Sequence, residues 1–172
     1  PELSKYEVIF DQYEYREDII LRTLSKNNVD INSLTGIVGR GGLLKPIEGG
    51  TYEVDEKMLK DLRAEIQGEH ACNLGGVIAY DIAQRLGIKA FIVDPGVVDE
   101  LSDVARISGL KEIPKRTIFH ALNQKAVARR YAKSKGKKYE DMNLIVAHLG
   151  GGISVGAHQK GRAIDAPNAL NG

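Results

Sequence analysis

The sequence has very little cysteine and no long apolar run. Cys72 is the one cysteine among 172 residues, so a disulfide within the chain is excluded. No cysteine and histidine set has zinc-site spacing, and runs such as Leu144–Ala147 are far too short to cross a bilayer. No signal peptide is recognisable. The single thiol suits a reducing compartment, and we therefore expect a cytoplasmic protein.

The sequence also lacks an excess of positive or negative charge. The net charge of +1 gives no electrostatic basis for nucleic acid or an anionic membrane as the main partner. The basic run Lys133–Lys138 is typical of a solvated helix end. The chain begins at Pro1 without methionine and ends at Gly172 in a glycine- and asparagine-rich stretch. We expect both ends to be cuts in a longer protein.

Hydrophobic spacing predicts helices that alternate with strands over residues 1–142. Helices are predicted over much of residues 8–26, ending near Asn27-Asn28, from a cap at Asp55, over Asn73–Leu86 with Gly87 as a stop, and over Lys115–Ser134. Strands are predicted at Leu34–Val38 (bounded by Gly39), Lys89–Val93 and Leu144–His148, followed by a hairpin of Gly152–Ala157 and Arg162–Asp165 around Gln159-Lys160-Gly161. This order predicts an α/β fold, with residues 1–142 as a first domain and 143–172 opening a second.

The buried faces of two of these helices can also be predicted. Met58, Leu62 and Ile66 recur at helical spacing after Asp55, and the Lys115–Ser134 helix is expected to bury Phe119, Leu122, Ala126 and Tyr131.

Three glycines follow the strand that ends at His148. Gly150, Gly151 and Gly152 let the backbone turn sharply and bring amide N–H groups close to an anion, and Ser154 adds a hydroxyl donor. Glycines alone favour a plain hairpin turn. The flanking histidine and serine favour a phosphate-gripping loop.

Other candidate residues stand at loop or strand ends. Arg40, between Gly39 and Gly41, is either an exposed loop arginine or a planar fork for a carboxylate or phosphate. Asp94 ends an apolar strand, where ligand sites form in open α/β sheets, but an aspartate that caps the next turn is an equal alternative.

The remaining polar candidates are weaker on local pattern. His120 and His70 resemble core histidines more than ligands, whereas Asn73 begins a helix whose free N–H groups suit an anion. His158 is predicted to lie at the surface, and Cys72 to be a small packed residue.

Several segments occur together and in order, and they resemble the acetate and butyrate kinase family. They are Gly36–Tyr52, Glu69–Gly75, Val93–Pro95, His148–Gly156 and Asp165–Gly172. Arg40-Gly41-Gly42 stands where the acetate kinases have His-Gly-Gly, which favours the butyrate and branched-chain carboxylic acid branch.

The resemblance implies an actin-like, sugar-kinase-like fold of two ribonuclease-H-like domains with the active site between them. It also implies that an opening strand pair with an Asn-x-Gly-Ser/Thr phosphate loop, and a later adenosine-binding half, are missing. We therefore expect an incomplete first domain and the first hairpin of a second.

The same resemblance implies reversible, ATP-dependent phosphorylation of a short-chain carboxylate, with Mg²⁺, by a homo-oligomeric enzyme. It assigns catalysis to Arg40, Asp94, His120 and His148, and metal binding to Asp94. It assigns ATP phosphate to Gly150, Gly151, Gly152 and Ser154, and the acid to Arg40, Gly41, Gly42, His70 and Asn73.

Three other functions are alternatives to this one. An acetate or propionate kinase of the same family would share these motifs, and an incomplete chain would be able to bind phosphate without catalysis. A dinucleotide-binding domain is disfavoured because no Gly-x-Gly-x-x-Gly follows a first strand and opens a helix.

Overall fold

A computed structural model describes residues 2–170, which divide into two compact units. The first unit runs to Lys45 and resumes over Thr51–Val93, and the second comprises Pro46–Gly50 and the chain from Asp94 onward. Pro1, and also Asn171 and Gly172 at the end of the family-like segment, lie outside the described residues. Within residues 2–170, no helix has the length and apolarity needed to cross a membrane.

The first unit is a three-stranded sheet with helices. Strand β3 (Lys89–Val93) lies in the centre, parallel to β1 (Gly36–Arg40) and antiparallel to β2 (Thr51–Glu53). Three helices accompany the sheet: α1 (Tyr13–Lys26), α2 (Glu56–Arg63) and α3 (Asn73–Leu86). The parallel pair requires a long crossover, which β2, α2 and α3 supply.

Most predicted elements of this unit are confirmed. Helix α3 has the predicted bounds, and Gly87 stops it with a left-handed φ of 66°. Helix α2 begins at the predicted cap, because the Asp55 carboxylate accepts the Met58 N–H at 2.7 Å. The expectation for Ile66 was wrong. The helix ends at Arg63 and the chain turns at Glu65, where φ is 48°, which leaves Ile66 exposed.

Strand β1 lies two residues later than the sequence predicted, and Gly39 is inside it rather than after it. The reason is the start of α3. A Cβ at Gly39 would lie 2.1 Å from the Gly75 carbonyl oxygen, so only glycine lets strand and helix approach this closely.

Gly39→Ala is therefore expected to destabilise the full-length protein by about 3 kcal/mol, the upper range for overpacking. Urea unfolding measures the difference. Gly109→Ala is the matched control, since a Cβ there would have no heavy atom within 4 Å. Equal stability of the two variants would contradict the close-approach explanation.

The second unit combines α4 (Ala121–Ser134) with an antiparallel sheet of β4 (Asn143–Leu149), β5 (Ile153–Gln159) and β6 (Arg162–Asp165). The predicted hairpin is confirmed. It turns at Lys160 and Gly161, where φ is 49° and 84°, as a tight two-residue connection requires. Strand β4 begins inside this unit, and a domain boundary near Asn143 stays a prediction.

The start predicted for α4 was wrong, and of its predicted buried face only Phe119, which precedes the helix, is buried. The helix begins at Ala121, because Ile118 bridges to Asn168 and the Phe119 N–H donates to the Gly96 carbonyl at 3.0 Å. Leu122 and Tyr131 are exposed. The helix instead buries Ala121, Gln124, Lys125, Ala128 and Ala132. Polar side chains are tolerated on this face because they find buried partners.

In the second sheet, strand β5 likewise buries polar side chains and exposes apolar ones. Ser154, Gly156 and His158 alternate along β5 on its buried face, whereas Ile153 and Val155 on the other face are exposed. The buried face of this strand therefore carries two polar side chains, of which Ser154 belongs to the candidate site.

Candidate active site

Two predicted histidines lie face to face in the second unit. His120 directly precedes α4, and His148 is the last residue but one of β4. Their ring centroids are 3.7 Å apart and the ring planes differ by 1°. The fold thus brings together two side chains that are 28 residues apart in the sequence.

Each of the two rings is held through its Nδ1 atom. His120 Nδ1 lies 2.8 Å from the Ser154 hydroxyl oxygen, and His148 Nδ1 lies 2.8 Å from the side-chain nitrogen of Asn123. Asn123 was not predicted as a site residue. Its position one turn after His120 on α4 is the signal that would have suggested it.

The glycine loop lies at the opposite, Nε2 edges of the rings. A Cβ at Gly152 would lie 3.0 Å from His120 Nε2, and one at Gly150 would lie 3.2 Å from His148 Nε2, whereas Gly151 is open. The predicted strand–turn–strand loop is confirmed, since it joins β4 to β5. A larger residue at Gly150 or Gly152 would therefore make a tight contact with an imidazole edge, and the ring would have to shift by a few tenths of an ångström.

Not every polar group of the loop is available to a ligand. The Gly150 N–H donates to the Gly152 carbonyl at 3.2 Å, so the amides of Gly151 and Gly152 are the better candidates for an anion. Ser154 is buried and its hydroxyl contacts His120 and Gln124. Its predicted contact with phosphate stays a prediction.

Asp94 is buried at the point where β3 ends, in a left-handed conformation with φ of 38°. The Arg129 guanidinium, from α4, donates to Asp94 Oδ2 at 2.7 Å. Among the described residues, Asp94 Oδ1 is buried without a hydrogen-bond partner. Such an oxygen suits Mg²⁺, which takes one or two protein carboxylates plus substrate phosphates. No set of three or more metal-ligating side chains occurs in residues 2–170.

Arg40 belongs to the first unit, where it is exposed at the end of β1. The start of α3 packs on its backbone, because a Cβ at Gly75 would lie 2.3 Å from the Arg40 carbonyl oxygen. A Cβ at Gly42 would lie 2.6 Å from Asn73 Oδ1, which accepts the Leu43 N–H at 2.8 Å. These contacts fix the backbone on which the guanidinium is mounted.

The expectation of free N–H groups at Asn73 was wrong. The amides of Asn73, Leu74 and Gly75 donate to His70, Ala71 and Cys72, because a turn precedes the helix and supplies its carbonyls. His70 Nδ1 accepts the Cys72 N–H at 3.1 Å. Cys72 is partly buried, and burial raises the pKa of its thiol, as expected for a packed residue.

The surface position predicted for His158 was also wrong. It is buried between Tyr139, whose hydroxyl lies 2.5 Å from Nδ1, and Gln124, whose Oε1 lies 2.8 Å from Nε2. Burial, and then the charge of Lys125, lower the pKa of His158 from 6.5 to about 4. The period of two along Ser154, Gly156 and His158 was the sequence signal for one shared face.

Stability is expected to fall as pH drops from about 6.5 to about 4, because the unfolded imidazole gains a proton that folded His158 refuses. The shift corresponds to roughly 3 kcal/mol over the whole window. Urea unfolding of the full-length protein at several pH values would measure it against His158→Gln. Parallel stability curves for the two proteins would contradict the prediction.

Known proteins of similar sequence were found for this chain. The acetokinase family model matches residues 110–170, which include both histidines and the glycine loop. Butyrate kinase 2 of Clostridium acetobutylicum is 61% identical over 171 residues, which is 99% of this chain and 48% of that protein. The chain is therefore similar to the acetokinase family, and to butyrate kinases over nearly its whole length. Butyrate kinase 1 of the same organism is 60% identical over the same shares, so the chain spans about half the length of these curated relatives.

Solved acetokinase-family structures share the fold at low sequence identity. Acetate kinase from Porphyromonas gingivalis has a TM-score of 0.64 and 19% identity, over 88% of this chain and 41% of that chain. A propionate kinase from Francisella tularensis has a TM-score of 0.60 and 19% identity, over 89% and 41%. The predicted α/β fold of the acetate kinase type is confirmed.

Proposed function

We propose that the protein containing this chain transfers the γ-phosphoryl group of ATP reversibly to a short-chain carboxylate, either butyrate or a branched-chain acid. The stacked histidine pair at the glycine loop carries the proposal, because it aligns two ring edges beside backbone amides. The identity of 61% to a protein named butyrate kinase supports the acid class.

The proposed chemistry needs positive donors more than a base. A carboxylate has a reference pKa near ~4, so it is already ionised at neutral pH and needs no proton removed. The barrier lies in bringing two anions together and in the charge on the transferring group. His120, His148 and the loop amides are proposed to donate to phosphoryl oxygens, and the N-terminus of α4 adds positive potential.

The acid is proposed to bind in the first unit. Arg40 offers a planar fork for its carboxylate, and Gly41, Gly42 and His70 complete the proposed contacts. Asn73 is buried and its Oδ1 accepts the Leu43 N–H, so its proposed share in binding the acid is indirect, through the loop that it holds.

Asp94 is the proposed metal ligand, through its unpartnered Oδ1. Bound Mg²⁺ would neutralise charge on the ATP phosphates. Arg129, which this chain pairs with the other oxygen of Asp94, orients the carboxylate. A cytoplasmic location and a homo-oligomeric state are part of the same proposal, since both rest on the sequence and on the family resemblance.

A substrate panel tests the function. The full-length protein would be assayed with ATP, Mg²⁺ and each of acetate, propionate, butyrate and isobutyrate, and the highest kcat/KM is expected for butyrate or isobutyrate. Preference for acetate or propionate would support the alternative kinase, and no turnover with any acid would refute the proposal. Calorimetry of this chain with ATP·Mg²⁺ tests the other alternative, in which the chain binds phosphate but does not catalyse transfer.

A further inference from the structure

A series of hydrogen-bonded, buried side chains leads from His120 into the interior of the second unit. Ser154 Oγ lies 2.8 Å from His120 Nδ1, and Gln124 Nε2 lies 3.0 Å from the same hydroxyl. Gln124 Oε1 is hydrogen-bonded to His158 Nε2, and His158 Nδ1 is hydrogen-bonded to the Tyr139 hydroxyl. We call the side chains of Ser154, Gln124, His158 and Tyr139 the Gln124 network; all four are buried.

Two backbone groups fix the direction of the hydrogen bonds that join Gln124, Ser154 and His120. Gln124 Nε2 also lies 3.0 Å from the Ser154 carbonyl, which can only accept, so the amide nitrogen must face Ser154. The His120 backbone N–H, which can only donate, lies 3.3 Å from Ser154 Oγ. The hydroxyl oxygen thus receives two donors, and its own hydrogen remains for His120 Nδ1.

We propose that Gln124, acting through Ser154, holds His120 as the tautomer that carries its hydrogen on Nε2, at the edge facing the glycine loop. Gln124 is a positioning residue in this scheme, and the consequence for turnover rests on the proposed function. Asn123 sets the same tautomer in His148, because its side-chain nitrogen donates to Nδ1. Both stacked rings then present an Nε2–H to the loop.

The chain leaves space for the network where a side chain would block it. A Cβ at Gly156 would lie 2.4 Å from Gln124 Oε1 and 3.0 Å from His158 Nε2. His158 is also held neutral by burial, which suits a ring that donates to Gln124 through Nε2 and accepts from Tyr139 through Nδ1.

Gln124→Glu tests the inference because it keeps the shape and removes the donating amide. The Ser154 hydroxyl gains a second acceptor, so His120 is free to carry its hydrogen on Nδ1. Imidazole nitrogen chemical shifts of the full-length protein would report the tautomer. The wild type is expected to show Nε2–H, and the variant a population of Nδ1–H. We expect kcat to fall roughly tenfold to a hundredfold with little change in KM for ATP, as when a transition-state donor is lost.

Tyr139→Phe is the matched control. It removes a buried hydrogen bond of the same network, but the anchors at Ser154 and His120 remain, so the His120 tautomer and kcat should persist despite lower stability. If kcat instead tracks stability in both variants while the tautomer never changes, Gln124 is merely structural and the inference fails. Ser154→Ala, which adds no charge, provides the same readout if Gln124→Glu does not fold.

The position of the hydrogen on the His120 ring distinguishes a failure of this inference from a failure of the proposed function. Wild-type His120 with its hydrogen on Nδ1 would overturn the inference even in an active kinase. Wild-type His120 as Nε2–H, with Nδ1–H gained in Gln124→Glu, would support the positioning role even if no carboxylate were phosphorylated, and that lack of activity would count against the proposed function alone.

Discussion

Arg40→Ala in the full-length protein is expected to lower kcat for acyl phosphate formation by about 10³-fold, the upper range for removing one transition-state donor. Arg40 is exposed at the end of β1, so no core contact is lost with its side chain. Steady-state kinetics with ATP and butyrate measure the loss, and circular dichroism with urea unfolding shows whether folding is intact.

Two variants make the Arg40 result specific. Arg63→Ala removes an exposed arginine of the same unit, on α2, and should leave kcat near the wild-type value. Arg40→Lys keeps the charge but not the planar two-point fork, and should recover only part of the activity. Turnover of Arg40→Ala within a few-fold of wild type would remove Arg40 from the proposed site.

Lys125→Met is expected to destabilise the full-length protein by about 3–5 kcal/mol, because it leaves a buried carboxylate without its partner. The Lys125 ammonium lies 2.8 Å from Glu100 Oε1, and both side chains are at most 5% exposed. Glu100 also accepts the N–H groups of Gly49 at 3.0 Å and Ala163 at 2.7 Å. Burial opposes ionisation of Glu100, but Lys125 and these N–H groups outweigh it and lower the pKa of Glu100.

An exposed ion pair provides the comparison for Lys125. Lys89 and Glu53 are 2.7 Å apart but 66% and 51% exposed, so Lys89→Met should cost at most about 1 kcal/mol. The double variant Lys125→Met, Glu100→Gln should recover part of the stability, since it removes the stranded charge. Urea unfolding measures all three. Equal costs for Lys125→Met and Lys89→Met would contradict the buried-pair explanation.

The sequence pattern correctly predicted the helix ends and turns that are set by a few neighbouring residues. Helix α3 has both bounds as predicted, because Gly87 supplies a left-handed stop whatever the helix packs against. The Asp55 cap and the Lys160-Gly161 turn are likewise set by a few adjacent residues. For the candidate site, the order of the motifs identified His120, His148 and the glycine loop through the family resemblance.

Other features depended on a partner far along the chain. Strand β1 extends past Gly39 because α3 packs there, and α4 buries Lys125 because Glu100 lies opposite. His158 looked like a surface histidine, since nothing nearby in sequence shows that Tyr139 and Gln124 enclose it. Polar residues are buried when they find such partners, and hydrophobic spacing cannot report them.

The stacked histidines illustrate the difference between what the sequence determined and what the tertiary structure decided. The sequence by itself determined the residue types, the glycine turn beside His148, and a family resemblance recognised from motif order. Only the tertiary structure decided that His120 and His148 stack 3.7 Å apart and that Ser154 and Asn123 contact their Nδ1 atoms, with Gln124 donating to Ser154. The physical reason is that a turn depends on φ angles of adjacent residues, whereas the direction of a hydrogen bond depends on groups that only the folded chain brings together.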